Sequence, residues 1–347
     1  MELSALIIVV LGIVFKTNNE KGKKAFIVCS MMILFLEAAL RHSSVGGDLI
    51  GYLNMYELYS HYSFDEMLKL FTLSDFKDPT YYLTGWIISH IFKSDQWWLV
   101  IIATLFNGSI TWLIWRESKI PLISIIMFIA LGYYEFSLTG LRQTISIAIL
   151  VFSFYFLKER RPVPFVLMVI LASLYHQTAL VFLLIYPFAN VKIGKYHIIA
   201  AMVAFVVLYA FRAQLLTILS DTLQEERYQG YTSGEANTLT MSGFVIQMII
   251  FVYNLFYYKK VIKKNKKVII LYNLAFVGLM FQLYASFIAE MFRISMYFSV
   301  FNIVLVPLTT MEEENKNIRM LITFGLILIL LLYTFKEGIT PYRFFWQ

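Results

Sequence analysis

The sequence predicts an all-α integral membrane protein: a polytopic helical bundle of about twelve transmembrane helices, with one further re-entrant or interfacial helix. Three observations carry that reading. Of the 347 residues, 59% are hydrophobic and 15% charged, against roughly 45–50% and 25% in soluble domains. The mean hydropathy is +0.70. Apolar runs close to the length a bilayer demands, about 20 residues, follow one another with short Lys-rich breaks between them.

In chain order the expected crossings are 3–15, 25–40, 97–115, 121–138, 142–157, 162–175, 177–189, 196–211, 241–258, 268–286, 291–311 and 320–335. The apolar stretch 81–92 is too short to cross and carries His90, so it reads as the re-entrant or interfacial helix. Charge supports this choice. If that stretch stays on one side and the N-terminus is outside, the cytoplasmic loops hold nineteen of the 29 Lys and Arg residues. The same loops contain the carboxylates Glu20, Glu117, Glu159, Glu312, Glu313 and Glu314 and no others. A thirteenth crossing would put the six-lysine loop 259–267 outside, against the positive-inside rule. The first span is preceded by Glu2 and followed by lysines, the pattern of a retained span and not of a cleaved signal peptide.

The whole of 1–347 therefore reads as a single polytopic membrane domain, with long outer loops at 41–96 and 212–240. The second loop opens with an amphipathic stripe, Leu215, Leu216, Ile218, Leu219 and Leu223, suited to the membrane surface. The formal charge of +7 follows from topology, because the basic residues flank spans and form no patch interleaved with stacking aromatics, so no nucleic acid is expected as a partner. The one cysteine, Cys29, has no intrachain partner. The histidines lack metal-ligand spacing, and HExxH, EF-hand, GxGxxG and P-loop motifs are absent from the sequence. No cofactor and no bound metal are expected.

Basic residues recur at the outer starts of descending spans: Arg142 opens the fifth, His176 the seventh, and Arg293 lies in the first turn of the eleventh. A helix N-terminus already carries partial positive charge, so an arginine there is disfavoured by about 0.3–1 kcal/mol unless an anion balances it. Repetition of that choice points to phosphate or pyrophosphate at the membrane surface. The same helix field favours a neutral His176 imidazole, able to take a proton from a hydroxyl. Plainer readings stand beside these. Arg142 and Arg293 also suit interfacial anchors, His176 a packed interface histidine, Asp48 a turn residue after Gly46 and Gly47, and Glu290 a local partner for Arg293. Glu37 and Glu135, near outer span ends, need a partner or an aqueous cavity.

One set of segments is distinctive in its order. Arg41-His42-Ser43-Ser44-Val45-Gly46-Gly47-Asp48 with Tyr52 is followed by Asp78-Pro79-Thr80-Tyr81-Tyr82-Leu83, Leu141-Arg142-Gln143, His176-Gln177-Thr178-Ala179-Leu180, and Arg293 with Tyr297-Phe298. This succession resembles the EpsG family of Wzy-type polysaccharide polymerases. The resemblance runs to about Phe298 and departs from the family's pattern in the doubled glycine before Asp48 and in Asp78, where a Glu would precede Pro79.

The resemblance implies a bacterial cell-membrane glycosyltransferase that joins oligosaccharide repeat units carried on undecaprenyl diphosphate, at the outer leaflet, to extend a capsule, exopolysaccharide or O-antigen. It implies His176 or Asp48 as general base and Arg142 as the group that stabilises the leaving diphosphate. Substrate contacts are implied at Arg41, Arg142, Gln143, Arg293, Tyr52 and Tyr81. The partners it implies are the lipid-linked oligosaccharides, membrane lipid and, as an option, a chain-length regulator protein. A lipid-linked oligosaccharide flippase is the alternative from another class, and an O-antigen ligase or glycan acyltransferase the alternative among enzymes.

Overall fold

Local chemistry sets where the helices begin. Asn19 accepts a hydrogen bond from the Gly22 amide at 2.6 Å and Asn315 accepts from Asn317 and Ile318, filling donors that a helix start leaves open. Pro79, Pro121 and Pro162 stand at first helical positions, where a missing N–H costs nothing. In the computed structural model, which describes residues 1–15, 19–70, 78–192, 194–211, 214, 241–285, 288, 290–335 and 342–347, nearly everything is helical. The described residues contain no strand, only an isolated bridge between Arg41 and Phe344.

Five helices are long and apolar enough to cross a membrane: 96–117, 141–158, 242–264, 266–284 and 316–334. Two bent pairs raise that number to seven, and three shorter apolar helices accompany them. The chain is thus a helical membrane protein. Three spans expected to be continuous are interrupted. The stretch 121–138 breaks into Pro121–Ala130 and Tyr133–Thr139, bent by 48°. Gly132 sits between them at φ +78°, a left-handed conformation that glycine adopts without penalty. The stretch 177–189 is a 3₁₀ helix, Gln177–Leu184, followed by the short Ile185–Phe188, and 291–311 is divided into Glu290–Ser299 and Asn302–Thr310. The expected outer loop 212–240, apart from residue 214, and its apolar stripe lie outside the described residues.

The chain divides into two compact units, 1–183 with 303–347, and 184–302. In the first, α1 (Glu2–Val14), α2 (Glu20–Ala39), α3 (Leu49–Ser60), α4 (Phe64–Leu70), α5 (Pro79–Ile91), α6 (Gln96–Glu117), α7 (Pro121–Ala130), α8 (Tyr133–Thr139), α9 (Leu141–Lys158) and α10 (Pro162–Tyr175) follow in order. The core helix is α9, whose span window is 67% buried, whereas the window of Lys316–Thr334 is 0% buried and turns Leu321, Phe324 and Ile329 outward. Outward apolar side chains on such a scale belong against lipid.

The two ends of this unit differ in charge. At one end Lys158 reaches both Glu117 oxygens at 2.7 Å, Lys23 donates to the Ser118 carbonyl at 3.1 Å, and Arg116 lies over the Trp112 and Tyr155 rings. Helices α6 and α9 therefore finish together, and α2 starts beside them. The opposite end gathers the close of α2 and the starts of α6 and α9. Both ends of α5 attach there: Asp78, which precedes it, meets Arg142, and Gln96, just after it, donates to the Ala39 carbonyl. The residue before α5 and Gln96 at the start of α6 are thus both held at this end.

In the second unit Asn273 closes a helix end. Its amide nitrogen donates to the carbonyls of Phe188, Ala189 and Val191 at 2.6, 3.0 and 2.9 Å. Gln247 donates to Gln282 and Ser295, and Ser295 donates to the Gly278 carbonyl at 2.7 Å. These bonds satisfy polar groups that water cannot reach inside a bilayer.

Candidate functional site

Three segments far apart in sequence meet at the end of the first unit away from the Lys158–Glu117 pair. Helix α9 starts after Gly140 and presents Arg142 in its first turn. Helix α10 ends at His176, whose backbone is extended at φ −158° and ψ 110°. One turn deeper, the Ser146 hydroxyl donates to the Ala172 carbonyl at 2.7 Å. Since Ser146 lies one turn from Arg142 and Ala172 one turn from His176, this bond fixes the register of the two side chains. The third segment is the approach to α5. The Thr84 and Tyr175 hydroxyls lie 3.1 Å apart, and Trp98 donates to the Tyr81 hydroxyl at 3.1 Å, so α5 is tied to α10 and α6.

Asp78 is the centre. Its side chain is 5% exposed, and Oδ2 accepts from Arg142 Nη1 at 3.0 Å and from His176 Nδ1 at 3.0 Å, while Oδ1 accepts from the Gln177 amide at 3.2 Å. The backbone there is left-handed, φ 55° and ψ 51°, a conformation costing about 1–3 kcal/mol for most side chains but milder for Asp and Asn. Three hydrogen bonds on one carboxylate hold it in place. With the carboxylate as acceptor, His176 Nδ1 carries the hydrogen of that bond, and in a neutral imidazole Nε2 then holds the lone pair.

Beyond Arg142 lies an aromatic wall. Arg142 Nε is 3.4 Å from the Tyr52 hydroxyl and the guanidinium lies 5.8 Å from the Tyr52 ring centre. Tyr52 meets Tyr81 edge-on at 5.5 Å. A narrow cleft of about 10 Å³, room for about one water molecule, is lined by Tyr52, Tyr56, Tyr59, Tyr81, Tyr82, Gly85, Trp86 and Trp98. Burial pushes Tyr56 and Tyr59 up to about 12 and raises Tyr81 and Tyr82 as well. These phenols stay protonated near neutral pH and do not supply a base.

The other expected site residues fall as follows. Tyr52 is half-buried beside Arg142, and Tyr81 is 2% exposed, part of the packing under α5. Gln143 is buried on α9. Asp48 is exposed ahead of α3, makes no side-chain capping bond, and takes no part in the bonds around Asp78. Arg41 is turned inward at 2% exposure: it donates to the carbonyls of Ala38 and Leu138, and burial pulls its pKa down to about 10, still cationic at neutral pH. Arg293 belongs to the second unit, exposed in the first turn of Glu290–Ser299 with its guanidinium 6.0 Å from the Phe292 ring. Glu37 is paired, accepting from the Met1 ammonium at 2.9 Å, Ser4 at 3.1 Å and Tyr134 at 3.2 Å. No group of three or more metal-ligating side chains occurs among the described residues.

Sequence reasoning did not single out Asp78 for a role of its own. A carboxylate directly before a proline reads as a turn residue. The available signal was its position, a carboxylate directly before the proline that opens a short helix.

A helical membrane protein with an Asp–His–Arg cluster around one buried carboxylate at one end of its first unit is the class these observations define. The chain belongs to the EpsG family, whose model matches residues 24–346, and members of that family are Wzy-type polysaccharide polymerases. No curated protein and no solved structure matches it.

Proposed function

We propose that the protein is a glycosyltransferase that joins undecaprenyl-diphosphate-linked oligosaccharide repeat units at the outer face of the bacterial cell membrane, with the Asp78–His176–Arg142 cluster as its reaction centre. The observation that carries this reading is the single carboxylate that holds both an imidazole and a guanidinium beside an aromatic cleft. The positive-inside rule supports the orientation, because Lys23, Arg116 and Lys158 stand at the opposite end of the unit.

In this reading a sugar hydroxyl of the acceptor gives its proton to His176 Nε2 as its oxygen bonds to the anomeric carbon of the donor. The bond from that carbon to the diphosphate breaks, and the electron pair leaves with the lipid diphosphate. Arg142 meets the charge that grows there, an interaction stronger in the transition state than before it. The imidazolium then returns its proton to water. One displacement of this kind inverts the anomeric centre. His176 is favoured over Asp48 as base because Asp48 stands outside the cluster. Buried Arg41 adds positive potential without direct contact, and Arg293 is the phosphate-binding candidate of the second unit.

The test is the size distribution of surface and lipid-linked glycans in a deletion strain carrying either the wild-type gene or Arg142→Ala. Loss of long chains while single repeat units still reach the surface, unrestored by Arg142→Ala at normal membrane levels, supports the polymerase. Repeat units trapped on the cytoplasmic side would instead make the protein a flippase.

A further inference from the structure

The carboxylate at the centre of the cluster is shared in an unusual way. Arg142 and His176 do not take one oxygen each: both lie 3.0 Å from Oδ2, and Oδ1 is occupied by the Gln177 amide. The two cationic or potentially cationic groups therefore use the two lone pairs of one oxygen and share the charge of one carboxylate. His176 bonds Asp78, and the charged and titratable groups linked to that carboxylate or to Arg142 are Tyr52 on α3, Tyr81 and Tyr82 on α5 and Arg142 on α9, with Tyr175 adjacent to His176 in the chain. The tyrosines 81 and 82 are held neutral by burial. That leaves Asp78 and Arg142 as the charges that set how tightly the imidazole holds a proton.

We infer that Asp78 is a positioning residue that couples binding of the donor's diphosphate to the strength of the base. With no anion present, Arg142 neutralises Asp78 and lies close to the imidazole, so both effects disfavour a proton on His176. An arriving diphosphate offers Arg142 bidentate oxygens that a shared carboxylate oxygen does not match. As Arg142 turns to the diphosphate, Asp78 is left to His176 alone. The imidazole then accepts a proton more readily, at the moment when a donor is in place to react. Until then the base is weak, and an acceptor sugar bound without a donor keeps its proton. This inference rests on the glycosyltransferase reading above and deepens it.

Asp78→Asn isolates the charge, because Asn tolerates the left-handed backbone at this position as Asp does and still offers an oxygen to His176. The experiment follows the imidazole of His176 by NMR across pH in the full-length protein in nanodiscs, with and without undecaprenyl diphosphate. The expected result is a midpoint that rises by about one pH unit with the lipid in the wild type and by clearly less in Asp78→Asn, where only the withdrawal of the Arg142 charge remains. In Arg142→Gln the midpoint is expected to be high already and insensitive to the lipid. An equal rise in the wild type and Asp78→Asn overturns the inference, since the diphosphate would then act on His176 directly. No rise in the wild type overturns it as well. Chain extension by the same preparations is read separately: a wild type whose midpoint rises but which extends no chain keeps the coupling and refutes the polymerase.

Discussion

Replacing Arg142 with lysine separates charge from geometry. The guanidinium gives Asp78 one hydrogen bond at 3.0 Å, approaches the Tyr52 hydroxyl with Nε at 3.4 Å, and lies 5.8 Å from the Tyr52 ring centre, with its side chain 26% exposed. Lysine keeps a point charge that reaches Asp78, so the carboxylate does not become an unpaired buried ion. It has neither the second donor nor the flat face. One charge-assisted hydrogen bond is worth about 1.5–3 kcal/mol, equivalent to about ten- to 150-fold in kcat/KM. The lost contact with the Tyr52 face adds about 0.5–1 kcal/mol. The assay is chain extension from defined lipid-linked repeat units by purified protein in nanodiscs, with thermal unfolding recorded in parallel. A drop of that size at an unchanged melting temperature is expected. A variant within threefold of wild type would refute the leaving-group role, because a bidentate contact that matters cannot be supplied by an ammonium.

His176→Ala should lower kcat by about 10²–10⁴-fold in the extension assay at normal membrane levels. Asp48→Ala, at an exposed position with no capping bond, should stay within about 0.5 kcal/mol of wild type in stability and keep most activity; a loss like that of His176→Ala in the same extension assay would move the base to Asp48. Gly46→Ala meets two obstacles, φ +121° and a new Cβ driven into the Leu138 carbonyl oxygen, and should cost at least about 1–3 kcal/mol, read as a lower melting temperature or lost membrane expression. Asn273→Ala leaves the carbonyls of Phe188, Ala189 and Val191 without their shared donor, and a loss of at least about 2 kcal/mol in unfolding by denaturant is expected.

Much of the architecture was legible because bilayer physics writes it into composition. Span starts at Gln96 and Leu141, the lysine-rich ends and the short helix at Pro79 all follow from hydropathy and charge. What hydropathy does not register is interruption. An apolar run reads the same whether its backbone continues through Gly132 or bends there, and the 3₁₀ winding of Gln177–Leu184 leaves no compositional trace. In the site, Arg142 and His176 could be picked out because charge at an apolar helix start is conspicuous. Asp78 could not, since its meaning comes from partners 64 and 98 positions away in the chain. Arg41 was equally conspicuous, yet it points into the protein, because nothing in a linear sequence tells an inward arginine from an outward one.

The strap formed by the last described residues constrains the path of everything between. The His42 amide donates to the Arg343 carbonyl and the Phe345 amide to the Leu40 carbonyl, both at 2.9 Å, while the Met1 ammonium bonds Glu37 near the end of the same helix. Residues 1 and 347 thus share one end of the first unit, the end that holds Asp78. A chain that leaves one side of a membrane and comes back to it has traversed an even number of times, whatever happens between. Reporters fused before Met1 and after Gln347 are therefore expected to share a compartment with each other and with the Asp78 cluster.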